Sequence, residues 1–280
     1  MINANLDHIS IVVRNIEDSL SKVQSVLGLS GSINHNANSQ YSKSALIETE
    51  TSNIELIQPT DHDTEIYSFL SSRGEGLHHL TFSTNDMTNA YNHMKINNVQ
   101  LKKNILSLSE SEEGDFIPPA YTGGTLVSFS KNKAPVSIPN AKISLHHITI
   151  RTEDIDSDIK KWETLFELNL IRKAVSQSYQ MDTAWMEAGN SQIEFAQQLN
   201  KTGPVARAIK SFGSGLHAIV LECSNSEDIL KRAIENNVRV IEDKGEPVIR
   251  ALHPLDFMGT LILLTDTDAI HAGEENPENI

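Results

Sequence analysis

The chain of 280 residues has little that could cross-link it or anchor it. Cys223 is its only cysteine, so no internal disulfide can form, and a reducing, cytoplasmic location is expected. No apolar run approaches the roughly 18 residues of a membrane span. The first residues, MINANLDHIS, have no basic segment followed by an apolar stretch, so no signal peptide is expected. Basic residues are also scarce. Against 37 Asp and Glu stand 23 Lys and Arg, a formal net charge of −14. That balance excludes broad binding to nucleic acid or to anionic membranes, both of which need basic patches. A Gly-rich phosphate loop, a nucleophile elbow and a Cys–His pair are all missing.

What is there is repetition. A short phrase reads LDHISIVV at 6–13, LHHLTFST at 77–84, LHHITIRT at 145–152 and LHAIVLEC at 216–223. One strand position falls at His8, His79, His147 and Ala218, in steps of 71, 68 and 71 residues. So regular a period means one supersecondary unit copied four times. Three copies offer an imidazole there, and the fourth offers a methyl.

Each copy reads as strand, helix, then about three strands. HISIVV alternates, with His8, Ser10 and Val12 on one face. Ile16, Leu20, Val23 and Leu27 then have helical spacing, and Gly28 suits a helix exit. Ile155, Ile159, Trp162 and Phe166 repeat the pattern in the third copy. The expected fold is α+β, with four βαβββ units at about 6–60, 77–130, 145–199 and 216–266. Paired units form two cupped, eight-stranded half-barrels. The halves are expected at 1–130 and 144–266, joined by a Pro-containing linker at 131–143, with an acidic loop at 105–115 and an acidic tail over 267–280.

His8, His79 and His147 are candidates for the cup floors. Glu55 in NIELIQP and Glu194 in QIEFAQQ each stand among apolar residues on a strand, and each lies 47 residues after its His. Duplication copies structural residues too, but His with Glu at one fixed interval in both halves points to a site. Two imidazoles and a carboxylate can hold Zn, Co, Ni, Mn or Fe as a divalent ion, with positions left for substrate. His78 and His217 are expected on the opposite face by alternation, and His253 in a turn. One of Trp185 and Met186 should pack in the core and the other line a cup. Tyr41 and Tyr179 take similar places in their halves.

These motifs resemble the vicinal oxygen chelate superfamily, which includes the glyoxalase, bleomycin-resistance and dioxygenase families. LDHISIVV, IELIQP, GEGLHHLTF and GGTLVSF, with their counterparts in the second half, are most similar to the methylmalonyl-CoA epimerase family. The resemblance covers nearly the whole chain. It implies metal ligands at four positions, carried here by His8, Glu55, His79 and Ser128 in the first half. In the second half they are His147, Glu194, Ala218 and Leu263. If units instead exchange between halves, the three-ligand set becomes His147, Glu194 and His79. The epimerase likeness implies pairing within halves.

The family's final-strand Glu is replaced by Ser128 and Leu263. A further family base falls near Ser39 or Gln40, so no catalytic base is assigned. Ser128, Gln40 and Tyr41 are expected to line the cavity. The expected activity is that of a metal-dependent isomerase or lyase on a small oxygenated substrate, an acyl-CoA thioester among the candidates, with one working and one degenerate site. The alternative is a metal-free binding protein or cofactor-independent enzyme of the same fold; a ring-cleaving dioxygenase fits less well. A small-molecule substrate or ligand is the expected partner, with the chain a monomer or homodimer.

Overall fold

A computed structural model describes residues 2–33, 41–104, 114–131, 143–177, 179–243 and 249–267. Gln40, Ser39, most of the acidic loop, most of the linker and the tail from 268 lie outside the described residues. The first unit runs β1 (Asn5–Val12), α1 (Ile16–Leu27), β2 (Gly31–Ile33), β3 (Ser42–Ile47) and β4 (Asn53–Pro59). A connecting helix, α2 (Glu65–Arg73), leads to the second: β5 (Gly76–Thr84), α3 (Met87–Ile96) and β6 (Leu126–Lys131). The third is β7 (Ile143–Arg151), α4 (Ile155–Phe166), β8 (Leu170–Ser176), β9 (Met181–Ala188) and β10 (Ser191–Gln198). A second connector, α5 (Pro204–Phe212), leads to the fourth: β11 (Gly215–Cys223), α6 (Ser226–Glu235), β12 (Val240–Asp243), β13 (Ile249–Leu252) and β14 (Leu261–Asp266). Among the described residues, no helix is long and apolar enough to cross a membrane.

Each unit helix starts at the same distance from its strand. Asn15, Asp86, Asp154 and Asn225 are the N-caps, and each side chain accepts a backbone N–H of the first turn. Such a cap satisfies a donor that the helix cannot, an effect of about 1 kcal/mol. Each cap follows the repeated strand position by seven residues, so the strand-to-helix turn is one device used four times.

The strands form two sheets. The first has the order β2-β3-β4-β1-β5-β6, and the second β12-β13-β14-β11-β7-β10-β9-β8. β1 pairs antiparallel with β5, and β7 with β11. Units therefore pair within halves, as neighbours in sequence usually do. The exchanged arrangement is not formed: His79 shares a sheet with His8 and Glu55, whereas His147 and Glu194 lie on the other. Among the described residues the first sheet has six strands and the second eight. Where the second has the hairpin β12–β13, the described residues of the first form the bridges Lys102–Phe116 and Ile117–Val127. There the Asp115 N–H donates to the Tyr91 hydroxyl at 3.0 Å, and the Asp115 carboxylate accepts the Asn104 N–H at 3.1 Å. These bonds fasten Asp115 to α3 and to Asn104.

The two halves share one core. α1 packs on β3 and β4 of its own half and also against α6 of the other. Trp162 and Phe166 of α4 meet Phe82 of β5, and all three are fully buried. The convex sheet faces thus turn inward over the helices, and the cups face away. Backbones touch at the Gly124–Gly215 crossing between halves. Both have positive φ, and a Cβ on either would stand within 2.5 Å of the other segment's backbone. Only glycine fits there.

Candidate functional site

The register of the first sheet builds the first cup. On one face, Leu46, Glu55, Ser10, His79 and Leu126 lie side by side across β3, β4, β1, β5 and β6. The next row holds His8, Thr81 and Ser128. The ligand atoms of His8, Glu55 and His79 all lie within 4.8 Å of one another, and the three residues are buried. Ligand atoms on one tetrahedral ion stand about 3.4 Å apart, so the trio would draw in by roughly an ångström around an ion. His8 Nε2 is 3.6 Å from a Glu55 oxygen. Ser10 lies between the arms, donating to Glu55 at 2.7 Å and touching His79 Nε2 at 3.2 Å. Ser128 occupies the fourth corner, buried and bonded to Thr81 at 2.8 Å. Two imidazoles, a carboxylate and surrounding hydroxyls suit a divalent ion of the zinc, manganese or iron type.

Burial keeps His79 in the form a ligand needs. It pushes the imidazole well below its usual pKa, and the neighbouring His78 and His8 push it further. A neutral ring keeps a lone pair for a metal.

Two β-bulges shape the ligand strands. The register slips at Asp7 and again at His78, each an extra residue just before a site histidine. The second half has the same slips at His146 and His217. Alternation therefore fails for His78 and His217, which do not turn to the opposite face. His78 Nδ1 lies 2.9 Å from His79 Nδ1, and its ring packs edge-on to Phe69. Asp7 Oδ2 lies 3.2 Å from His8 Nδ1 and accepts a hydrogen bond from Ser130 at 2.8 Å. Burial again comes first for His78, lowering it to about 4.

The first cup is capped. Val12 and Ile57 from its wall pack with Ile66 and Leu70 of α2 and with Phe116, beside Phe69 and Leu126. This apolar plug leaves a recess of about 50 Å³ at the rim, between His78, Lys102, Lys103 and Phe116. Tyr41 precedes β3 and is half-buried.

The second cup keeps half of the set. His147 Nε2 is 3.4 Å from Glu194, which also accepts the Thr149 hydroxyl at 2.7 Å. Burial would raise the Glu194 carboxyl, but the bonds from His147 and Thr149 outweigh it and hold the group below its usual range. The register puts Ala218, Val220 and Leu263 where the first cup has His79, Thr81 and Ser128. One wall is thus apolar. On the other, Trp185 lies opposite Glu194, with the Arg172 guanidinium over its ring at 4.1 Å, while Met186 packs in the core. α5 buries only Val205, and Phe212 remains 55% exposed, so this cup is less covered.

The sequence matches the pattern of the glyoxalase/bleomycin resistance protein/dioxygenase superfamily twice, over residues 7–106 and 146–254. The chain belongs to that superfamily. Two curated relatives of this glyoxalase-superfamily protein each align with less than half of the chain. The uncharacterized protein YqjC of Bacillus subtilis (strain 168) is 31% identical over 129 residues, 46% of this chain and 92% of that protein. The mitochondrial methylmalonyl-CoA epimerase of Dictyostelium discoideum is 24% identical over 129 residues, 44% of this chain and 77% of the epimerase. Among solved structures, a variant of 4-hydroxymandelate synthase from Streptomyces coelicolor superposes with a TM-score of 0.69. It covers 94% of this chain and 92% of that one, at 11% identity, a likeness of fold alone.

Sequence reasoning missed Asp7, Ser10 and Thr81 as parts of the site. Asp7 was detectable: it directly precedes His8 within a β-rich run, where Asp is unfavourable.

Proposed function

We propose that the protein is a metal-dependent enzyme of the isomerase or lyase type, acting on a small oxygenated substrate through its first cup. One observation carries the reading: the buried ligand atoms of His8, Glu55 and His79 lie within 4.8 Å of one another. A bound divalent ion would supply Lewis-acid stabilisation to two neighbouring substrate oxygens, an effect worth several kcal/mol. The chain supplies the rest. His8, Glu55 and His79 would hold the ion. The hydroxyls of Ser128 and Thr81 offer hydrogen bonds to substrate oxygen but cannot accept a proton as a carboxylate would. The plug of Ile66, Leu70 and Phe116 excludes water, which strengthens every charge interaction beneath it. Substrate therefore enters by displacement of α2 or of the Phe116 segment.

An α-substituted acyl-CoA thioester, the substrate named for the epimerase relative, is the first candidate. The test is solvent-deuterium exchange at the α-carbon of methylmalonyl-CoA and of 2-hydroxy and 2-oxo acids, followed by NMR. Exchange that requires metal and disappears in His79→Ala supports the reading. Absence of metal-dependent exchange or turnover across the panel counts against it.

A second reading applies to the other cup. The amphipathic wall, with Glu194 and His147 facing Val220 and Leu263, favours a ligand held without metal. Thermal-shift screening with organic ligands tests it, since a ligand bound only by the native state raises stability by mass action. Shifts that survive Glu194→Gln and Leu263→Asp would show binding elsewhere.

A further inference from the structure

We propose that Asp7 is a positioning residue for the first cup, setting the tautomer and aim of His8. The inference rests on the metal reading of that cup. It starts from a comparison of the four copies. In three of them the repeated strand position is a histidine, and its Nδ1 faces the bulge residue just before it. The partner of His79 is His78 at 2.9 Å, and that of His147 is His146 at 2.7 Å. The partner of His8 is the Asp7 carboxylate at 3.2 Å.

The chemistry of these pairs differs. Between two imidazoles, either nitrogen can carry the proton, so the contact fixes no tautomer. An ionised carboxylate only accepts. Against Asp7, the His8 proton belongs on Nδ1, which leaves the Nε2 lone pair toward Glu55, 3.6 Å away. A carboxylate that orients a metal-bound imidazole in this way also raises its basicity.

Asp7 is itself held. The Ser130 hydroxyl, from the far strand of the cup, donates to the same Oδ2 at 2.8 Å. β1 and β6 are thereby tied through one carboxylate, with β5 between them. The bulge makes this reach available: in a regular strand, Asp7 and His8 would point to opposite faces. The second half has His146 at the bulge, so its His147 lacks an anionic partner of this kind.

The experiment compares wild type with Asp7→Ala, Asp7→Asn and Ser130→Ala, each checked for fold by circular dichroism and thermal midpoint. Affinity for Co²⁺ and Zn²⁺ is measured by chelator competition, and the His8 tautomer by ¹⁵N NMR of the protein without added metal. Asp7→Ala is expected to weaken metal binding by about 10- to 100-fold and to release His8 from the Nδ1–H tautomer. Asp7→Asn, which keeps an acceptor but not the charge, is expected to lose less affinity and retain that tautomer. It also serves if Asp7→Ala does not fold. Ser130→Ala should show a smaller loss of affinity. A purely structural role would lower the thermal midpoint but leave the dissociation constant and tautomer unchanged, and that result overturns the proposal. If wild type itself binds no metal, the reading of the cup fails; if it binds and the Asp7 variants bind equally, only this inference fails.

Discussion

Trp162, on α4 of the second half, packs edge-on against Phe82 of β5 in the first, with ring centroids 6.1 Å apart and planes at 75°. Its indole Nε1 also donates to the Thr122 carbonyl of the first half at 3.0 Å. One side chain thus closes both the apolar and the polar sides of the seam between halves.

Trp162→Ala should therefore destabilise the whole chain, not the second half alone. The expected loss is about 3–5 kcal/mol, the usual range for a buried Trp truncated in a core. Wild type should unfold in urea in one transition, by fluorescence and circular dichroism alike. Two separate transitions in wild type would show that the halves fold independently.

Much of this architecture can be read in the chain. The four-fold phrase fixes the unit and its count, while the N-caps Asn15, Asp86, Asp154 and Asn225, seven residues after each strand position, emerge with the structure. The pairing of units cannot be read, because His79 matches either first-strand histidine in sequence. Pairing depends on which strand edges meet, a matter of packing between units. The bulges at Asp7, His78, His146 and His217 are illegible for a related reason. An extra residue leaves composition and period almost unchanged, yet it turns the following side chains. That is why alternation misplaced His78 and His217 and hid the contact between Asp7 and His8.

Ala218 is opposite Thr149, as His79 is opposite Ser10. Ala218→His should thus complete a second trio with His147 and Glu194. Metal analysis should rise from about one ion per chain to about two, provided that the variant keeps its circular dichroism. A variant that is folded but still holds one ion would show that Val220 and Leu263 deny the ion its remaining coordination.

Acid should weaken the whole fold, in part through the buried histidines of the second half. Burial is the main cause for both His146 and His217, helped by the charges of His147 and Arg172 around the first and of Arg151 near the second; both are lowered to about 4. In the unfolded chain they titrate near 6.5. Above about pH 6.5, both states are neutral and this part of the stability is fully present. As pH falls from there to about 4, the unfolded chain binds protons that the folded chain refuses, so stability declines. Urea midpoints between pH 7.5 and 4.5 should follow that course, and His217→Gln should flatten it. An equally steep decline in the variant would contradict the assignment.

The trio of His8, Glu55 and His79 is tested most directly by the metal content of the purified chain, prepared without chelator and measured by inductively coupled plasma mass spectrometry. Wild type should carry about one equivalent of a divalent transition metal, and His79→Ala and Glu55→Ala almost none. Less than about a tenth of an equivalent in wild type after incubation with metal, or a full equivalent that survives His79→Ala, would contradict the account.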